Sequence, residues 1–234
     1  MIVRAAIMPT LPTAARTETA ARVAARILPQ VDVLHVHFNG HQELPTWSRD
    51  RRVVAHRHPV GTGPAVRLSV VPNADVVLLL DDDMNYPPDY VARSVAHLQR
   101  LGLGTAISFH ASFWRPKAEP RFQKRELIMY TASRQSDVPV TMISMLTASF
   151  HAQDFRRHDR VVPPLFERED DVWVSAACAR AGIRLIRPPS AKDWITHTPA
   201  AEDGLFSRAQ ADRFVKRDAA IKAALALGSW RLTP

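Results

Sequence analysis

The chain has 234 residues, 46% hydrophobic and 23% charged, with a formal net charge of +8. That length suits one domain with one substantial core, and a single cysteine, Cys178, excludes a disulfide framework and a cysteine-based zinc site. The positive balance favours anionic partners, but arginines are scattered and only 7% of residues are aromatic, so a base-stacking surface lacks material and nucleic acid is not an expected partner.

In chain order, β-rich runs at residues 3–7 and 33–38 flank an Ala/Arg helix over 14–28 that Pro29 ends, a β-α-β opening. A third strand is expected over 52–55, a short helix over 65–71 and a fourth strand over 76–80. A helix over 88–101 follows, begun by proline and stopped by Gly102, then a strand over 105–109. Residues 110–139 lose periodicity and read as an insertion. A strand over 141–146, a helix over 170–181 closed by Gly182 and a strand over 184–186 restore the alternation. Ser207 with Gln210 forms a capping-box pattern before a helix over 209–227. The expected fold is α/β, a single domain with a mostly parallel sheet covered by helices on both faces, whose ligands gather beyond the carboxyl ends of the strands. Residues 1–204 form that domain, with a donor half to about 109 and an acceptor half from 110, and 205–234 form a helical tail.

Asp81-Asp82-Asp83 ends the apolar run 76–80, so three carboxylates sit where a buried strand surfaces into a turn. Adjacent carboxylates raise one another's pKa, whereas Mg²⁺ or Mn²⁺ takes a few such oxygens and leaves positions for phosphate. The cluster reads as a metal-diphosphate site, against the plainer reading of a solvated strand end. A second cluster, Glu169-Asp170-Asp171, opens the helix ending near Gly182, where the helix dipole favours negative charge with no catalytic task. Neither a His-Glu-x-x-His motif nor a Gly-x-Ser-x-Gly elbow is present.

Four segments in order, residues 5–12, 28–40, 80–91 and 169–173, together resemble small bacterial family 2-like glycosyltransferases of the GT-A fold. The resemblance implies a nucleotide-sugar donor, most plausibly a UDP-sugar. Its base and ribose would be held by the loop Pro9, Thr10, Leu11 and Pro12 and by the Asn39-Gly40 turn, although Gly40 can equally be a mere turn former. Asp81 and Asp83 would serve ribose and metal, with Asp83 the direct ligand and Asp82 between them in the donor site. His197 would complete the shell of a Mn²⁺ or Mg²⁺ ion. The chain departs from the family pattern at Leu11, where an arginine is usual, and in the loop 61–65, which lacks a lysine; Arg67 can replace that charge. Asp171 would be the general base of an inverting transfer, with Asp170 holding the acceptor or serving as base itself.

The acceptor would be a hydroxyl of a glycan or secondary metabolite, with Phe113, Trp114 and Trp173 as either a stacking wall or core. A nucleotidyltransferase and a non-catalytic nucleotide- or glycan-binding module are the competing readings. No apolar run approaches the length of a membrane span and the N-terminus goes straight into a strand pattern, so a cytoplasmic protein is expected. Arg208, Arg213, Lys216, Arg217 and Lys222 make the last helix basic, suited to peripheral membrane contact or simply to a solvated face.

Overall fold

The protein is described here by a computed structural model covering residues 2–198 and 214–234. The opening β-α-β unit is β1 (Arg4–Thr10), α1 (Ala14–Ile27) and β2 (Val33–Asn39), with β3 (Val53–His58) beyond it. The Thr13 hydroxyl caps α1 by accepting from the Arg16 amide at 3.3 Å. Thr19, Ala20, Val23, Ala24 and Ile27 form the buried stripe of that helix. β4 (Val76–Leu79), β5 (Met84–Asn85), α2 (Tyr90–Leu101), β6 (Thr105–Ser108), β7 (Ala111–Phe113) and β8 (Glu126–Ile128) follow. Next come β9 (Val138–Val140), β10 (Met142–Ile143), β11 (Ala148–His151), α3 (Ala152–Arg157), α4 (Asp170–Arg180), β12 (Arg184–Arg187), β13 (Thr196–His197) and α5 (Val215–Ala226).

The central sheet has eight strands in the order β3-β2-β1-β4-β11-β6-β12-β9. The first four are parallel, β11 runs antiparallel between β4 and β6, and β12 is again parallel to β6. Period-two alternation splits the core between the two faces. Ala6, Met8, Leu78 and Leu80 pack with α1 and α2, whereas Ile7, Val77 and Leu79 pack with α4 and α5. The sheet is therefore mostly parallel and covered on both faces, as expected.

Several boundaries differ from the sequence reading. Pro9 and Thr10 belong to β1 rather than to a loop, because β1 pairs with β2 up to Thr10↔Phe38. β3 runs on to His58, and residues 64–69 form a 3₁₀ helix. Residues 110–139 are not loose: β7 and β8 pair with each other and β7 with β10 in a second, three-stranded sheet, while β9 edges the central one. The strand expected over 141–146 reduces to β10. The central strand of that region is β11, which no sequence signal announced.

The C-terminal helix packs on the body. Ala220, Ile221 and Ala224 are buried in the core with α4, and Trp230 beyond them is 4% exposed. The capping box Ser207–Gln210 and the expected helix start at 209 lie outside the described residues, as do Arg208 and Arg213. Lys216 and Lys222 are exposed, but Arg217 turns inward to ion-pair with Glu169, so it is no part of a basic surface stripe. No helix among the described residues is long and apolar enough to cross a membrane.

Candidate functional site

Beyond the carboxyl ends of β1 and β4 lies a cleft of about 670 Å³. Pro9, Thr10, Leu11 and Pro12 line it from the end of β1, Asn39 from β2, and Asp81, Asp82 and Asp83 from the end of β4. Asp170 and Asp171 reach it from the start of α4, and His197 from β13. Of the donor, metal and base positions assigned from sequence, Gly40 alone is absent from this lining; of the aromatic candidates, Phe113, Trp114 and Trp173 are absent too. Gly40 has φ +78°, and a Cβ there would approach Val60 Cγ2 to 2.8 Å, so it forms a turn. Trp114 is buried against Trp230 and Trp173 against Phe166, so neither tryptophan faces the cleft.

The acidic turn is built from its surroundings. Tyr86, fully buried, accepts from the Asp81 amide at 2.9 Å and donates to the Leu146 carbonyl at 2.6 Å, pinning the strand end. β13 pairs with β5 so that His197 lies opposite Met84, and the Thr198 amide donates to the Asp83 carbonyl at 2.8 Å. His197 Nε2 thereby stands 3.5 Å from Asp83 Oδ2. That contact raises the His197 pKa. Burial pushes the Asp83 carboxyl up, but His197 and Arg16 together bring it below its ordinary value.

Two arginines neutralise the cluster. Arg16, one turn into α1, places Nη1 2.6 Å from Asp83 Oδ2 and Nη2 3.1 Å from Asp82 Oδ1. Arg67, buried in the 3₁₀ helix, places Nη1 2.9 Å from Asp81 Oδ1 and Nε 3.1 Å from Asp170 Oδ2. The sequence reading assigned Arg67 to the donor; it lines the cleft, and its guanidinium ties the two carboxylate clusters together. Burial still raises Asp82 to about 7 against the pull of Arg16, and Asp170 to about 7 against the pull of Arg67.

Asp171 is held differently. Its Oδ1 accepts from the Met145 amide at 2.8 Å, its Oδ2 from Ser144 Oγ at 3.2 Å, and no arginine among the described residues pairs with it. It is an aimed carboxylate with free lone pairs, whereas Asp170 is committed to Arg67. Sequence reasoning missed Arg16, His110, Arg125, Tyr130 and Arg168 as lining residues. Arg16 had one usable signal, its place a turn beyond the first donor loop; His110, Arg125 and Tyr130 come from the segment whose short strands have no period to read, and Arg168 from the irregular stretch before α4.

No protein-family model matches the sequence, and no curated protein matches it. Solved structures do match in fold. A mannosyltransferase from Pyrobaculum calidifontis, in complex with GDP-mannose and Mn²⁺, superposes with TM-score 0.55 at 15% identity over 97% of this chain and 74% of that one. The glucosyl-3-phosphoglycerate synthase of Mycobacterium tuberculosis, with Mn²⁺, UDP and glucosyl-3-phosphoglycerate, gives 0.52 at 16% identity over 93% and 80%. TarS from S. aureus gives 0.51 at 11% identity over 84% of this chain, which spans 60% of that structure's length. The chain has the GT-A fold.

Proposed function

We propose that this chain is a glycosyltransferase that moves a sugar from a nucleotide-sugar donor, a UDP-sugar in the first instance, to a hydroxyl acceptor with inversion at the anomeric carbon. One observation carries the reading. The end of β1, the Asp81–Asp83 turn, His197 and an unpaired Asp171 converge on one cleft, at the edge of the sheet where α/β folds take their ligands. The donors and Mn²⁺ held by the structurally similar proteins support the same reading.

The residues fit a divalent ion. Asp83 oxygen and His197 nitrogen, 3.5 Å apart, can share one Mn²⁺ or Mg²⁺, and the buried Asp82 Oδ2 beside them has no hydrogen-bond partner among the described residues. Among the described residues no three His, Cys, Asp or Glu side chains stand so that they could hold a metal ion by themselves, so Asp83 and His197 would hold it only together with the donor. A bound ion would supply charge neutralisation for the departing nucleoside diphosphate.

The chain's own groups do the rest. Asn39, the end of β1 at Pro9 and Thr10, and the following Leu11 and Pro12 bound the space for base and ribose. Asp171, oriented by the Met145 amide, accepts the proton of the acceptor hydroxyl as that oxygen attacks the anomeric carbon opposite the leaving group. Arg67 fixes Asp170 and Asp81 at a constant separation, which keeps base and donor subsites in register.

Melting of the purified protein with UDP, GDP, CDP and dTDP, each with Mn²⁺, Mg²⁺ or EDTA, tests the reading. Ligand at a hundredfold excess over its dissociation constant stabilises the native state by about 2.7 kcal/mol. A shift for one nucleotide that needs the metal supports transfer, and release of the nucleoside diphosphate from its sugar conjugate confirms it. Release of pyrophosphate would instead mark a nucleotidyltransferase. Nucleotide binding with no turnover would leave a binding module, to which the arginines already seated on the acid cluster are suited.

A further inference from the structure

Four carboxylates of the cleft, Asp81, Asp82, Asp83 and Asp170, are matched by arginines, but the arginines are not all matched by carboxylates. Arg16, Arg67 and Arg217 each have an acidic partner. Arg125, which also lines the cleft, has none among the described residues, and its Nε is buried without a hydrogen-bond partner there. It is nonetheless fixed in place. Nη1 donates to the Phe122 carbonyl at 2.7 Å, and the guanidinium carbon sits 3.4 Å from the centroid of the Phe122 ring. Arg217 lies 4.5 Å from the centroid of the same ring, so two cations share one aromatic ring while among the described residues a single carboxylate, Glu169, ion-pairs with either of them. Burial and the neighbouring Arg217 charge lower the Arg125 pKa to about 10. A guanidinium held rigidly, partly desolvated and short of counter-charge favours an anion that comes from outside.

We infer that Arg125 binds an anionic group, a carboxylate or a phosphate, carried by the acceptor itself, so that the acceptor is an acidic hydroxy compound rather than a neutral sugar. Arg125 comes from the loop between β7 and β8, strands of the small sheet that β10 completes, and lines the same cleft as Ser144 and Asp171. Asp171 is close enough to act on Arg125 electrostatically. An acceptor anchored there through its anion presents a hydroxyl toward the base. This acceptor class rests on the transferase reading.

Calorimetric titration of the full chain with glycerol 3-phosphate, glycerate and glycerol, three hydroxy compounds that differ in one group, tests the inference. The expected result is that at least one anion binds about tenfold or more tighter than glycerol, as expected for one charge-assisted contact. Arg125→Gln erases that preference and Arg16→Gln leaves it in place. The tighter of the two anions tells phosphate from carboxylate. Arg125→Lys, which keeps the charge but loses the planar fork, retains only part of the preference and carries the test if the glutamine variant does not fold. A preference that survives Arg125→Gln, one that disappears only in Arg16→Gln, or no preference in the wild-type protein overturns the assignment. Nucleoside diphosphate binding, measured on the same preparations, reads the donor site separately: its loss in the wild type sinks the transferase reading, whereas its persistence without anion preference sinks only the acceptor class.

Discussion

Arg16 Nη1 lies 2.6 Å from Asp83 Oδ2, so the carboxylate suited to a metal already holds a guanidinium. A divalent ion held at the proposed site by Asp83 would compete with the arginine for this carboxylate. Arg16→Met should raise the affinity of the nucleotide-free protein for Mn²⁺ by about tenfold, since removing one competing ion contact is worth on the order of 1.4 kcal/mol. Free Mn²⁺ measured by electron paramagnetic resonance reports this directly, and unchanged affinity would mean that Arg16 does not guard the site.

Asp171→Asn keeps an oxygen for the Met145 amide but removes the proposed base. Turnover should fall by about 10²–10⁴-fold with donor binding unaltered. Single-turnover kinetics beside nucleotide calorimetry checks the pair, and full activity in the variant would eliminate Asp171 as base.

Stability should decline in mild acid because of four histidines on β2 and β3. His35 Nδ1 is 3.0 Å from His56 Nε2 and His37 Nδ1 is 2.9 Å from His58 Nε2, with the rings of His37 and His56 stacked at 4.7 Å. Burial, with the neighbouring histidines and Arg67, lowers His37 to about 3, and burial with His56 lowers His35 to about 4. In the unfolded chain both titrate near 6.5. The unfolded state therefore binds more protons below that value, so the contribution is fully present above pH 6.5 and is lost as pH falls toward 4. Melting temperature should drop across that window, and His37→Leu should make the slope shallower.

Gly40→Ala places a Cβ against Val60 at a residue with φ +78°. A cost of about 1–3 kcal/mol is expected. Urea titration measures it, while nucleotide affinity of the folded fraction should stay as in the wild type because Gly40 does not line the cleft.

Trp230 donates from Nε1 to the Thr141 carbonyl at 2.8 Å and meets Trp114 edge-on at 6.2 Å between centroids. Trp230→Ala should cost about 3–5 kcal/mol, equivalent to a fall of some 2–4 °C per kcal/mol in a chain of this size. A negligible change would show that the last segment is not part of the core.

Much of this was legible in the chain because regular strands and helices write their periods into it. β1, α1, β2, β4, α2 and α4 were readable to within a few residues, and their ends bring Pro9, Asn39, Asp81–Asp83 and Asp170–Asp171 to one cleft. What stayed hidden has a common cause. β7, β8 and β10 are two or three residues long, too short for a pattern. β11, only four residues, lies just beyond the strand expected over 141–146 and is likewise too short to show a period. The pairings of Arg16 and Arg67 with carboxylates join residues far apart in sequence, and composition cannot express them. Arg217 looked like surface charge because its partner, Glu169, lies 48 positions away.

β11 also sets the order in which the molecule can be made. Residues 148–151 fill the place between β4 and β6, which are complete by residue 108. Until the ribosome has released that later stretch, β4 and β6 each carry a row of backbone amides and carbonyls with no neighbour, and those edges invite pairing with other chains. A nascent chain halted near residue 110 should therefore be bound by chaperones and fail to acquire protease resistance, whereas one halted beyond α4, with the exit tunnel cleared, should acquire it.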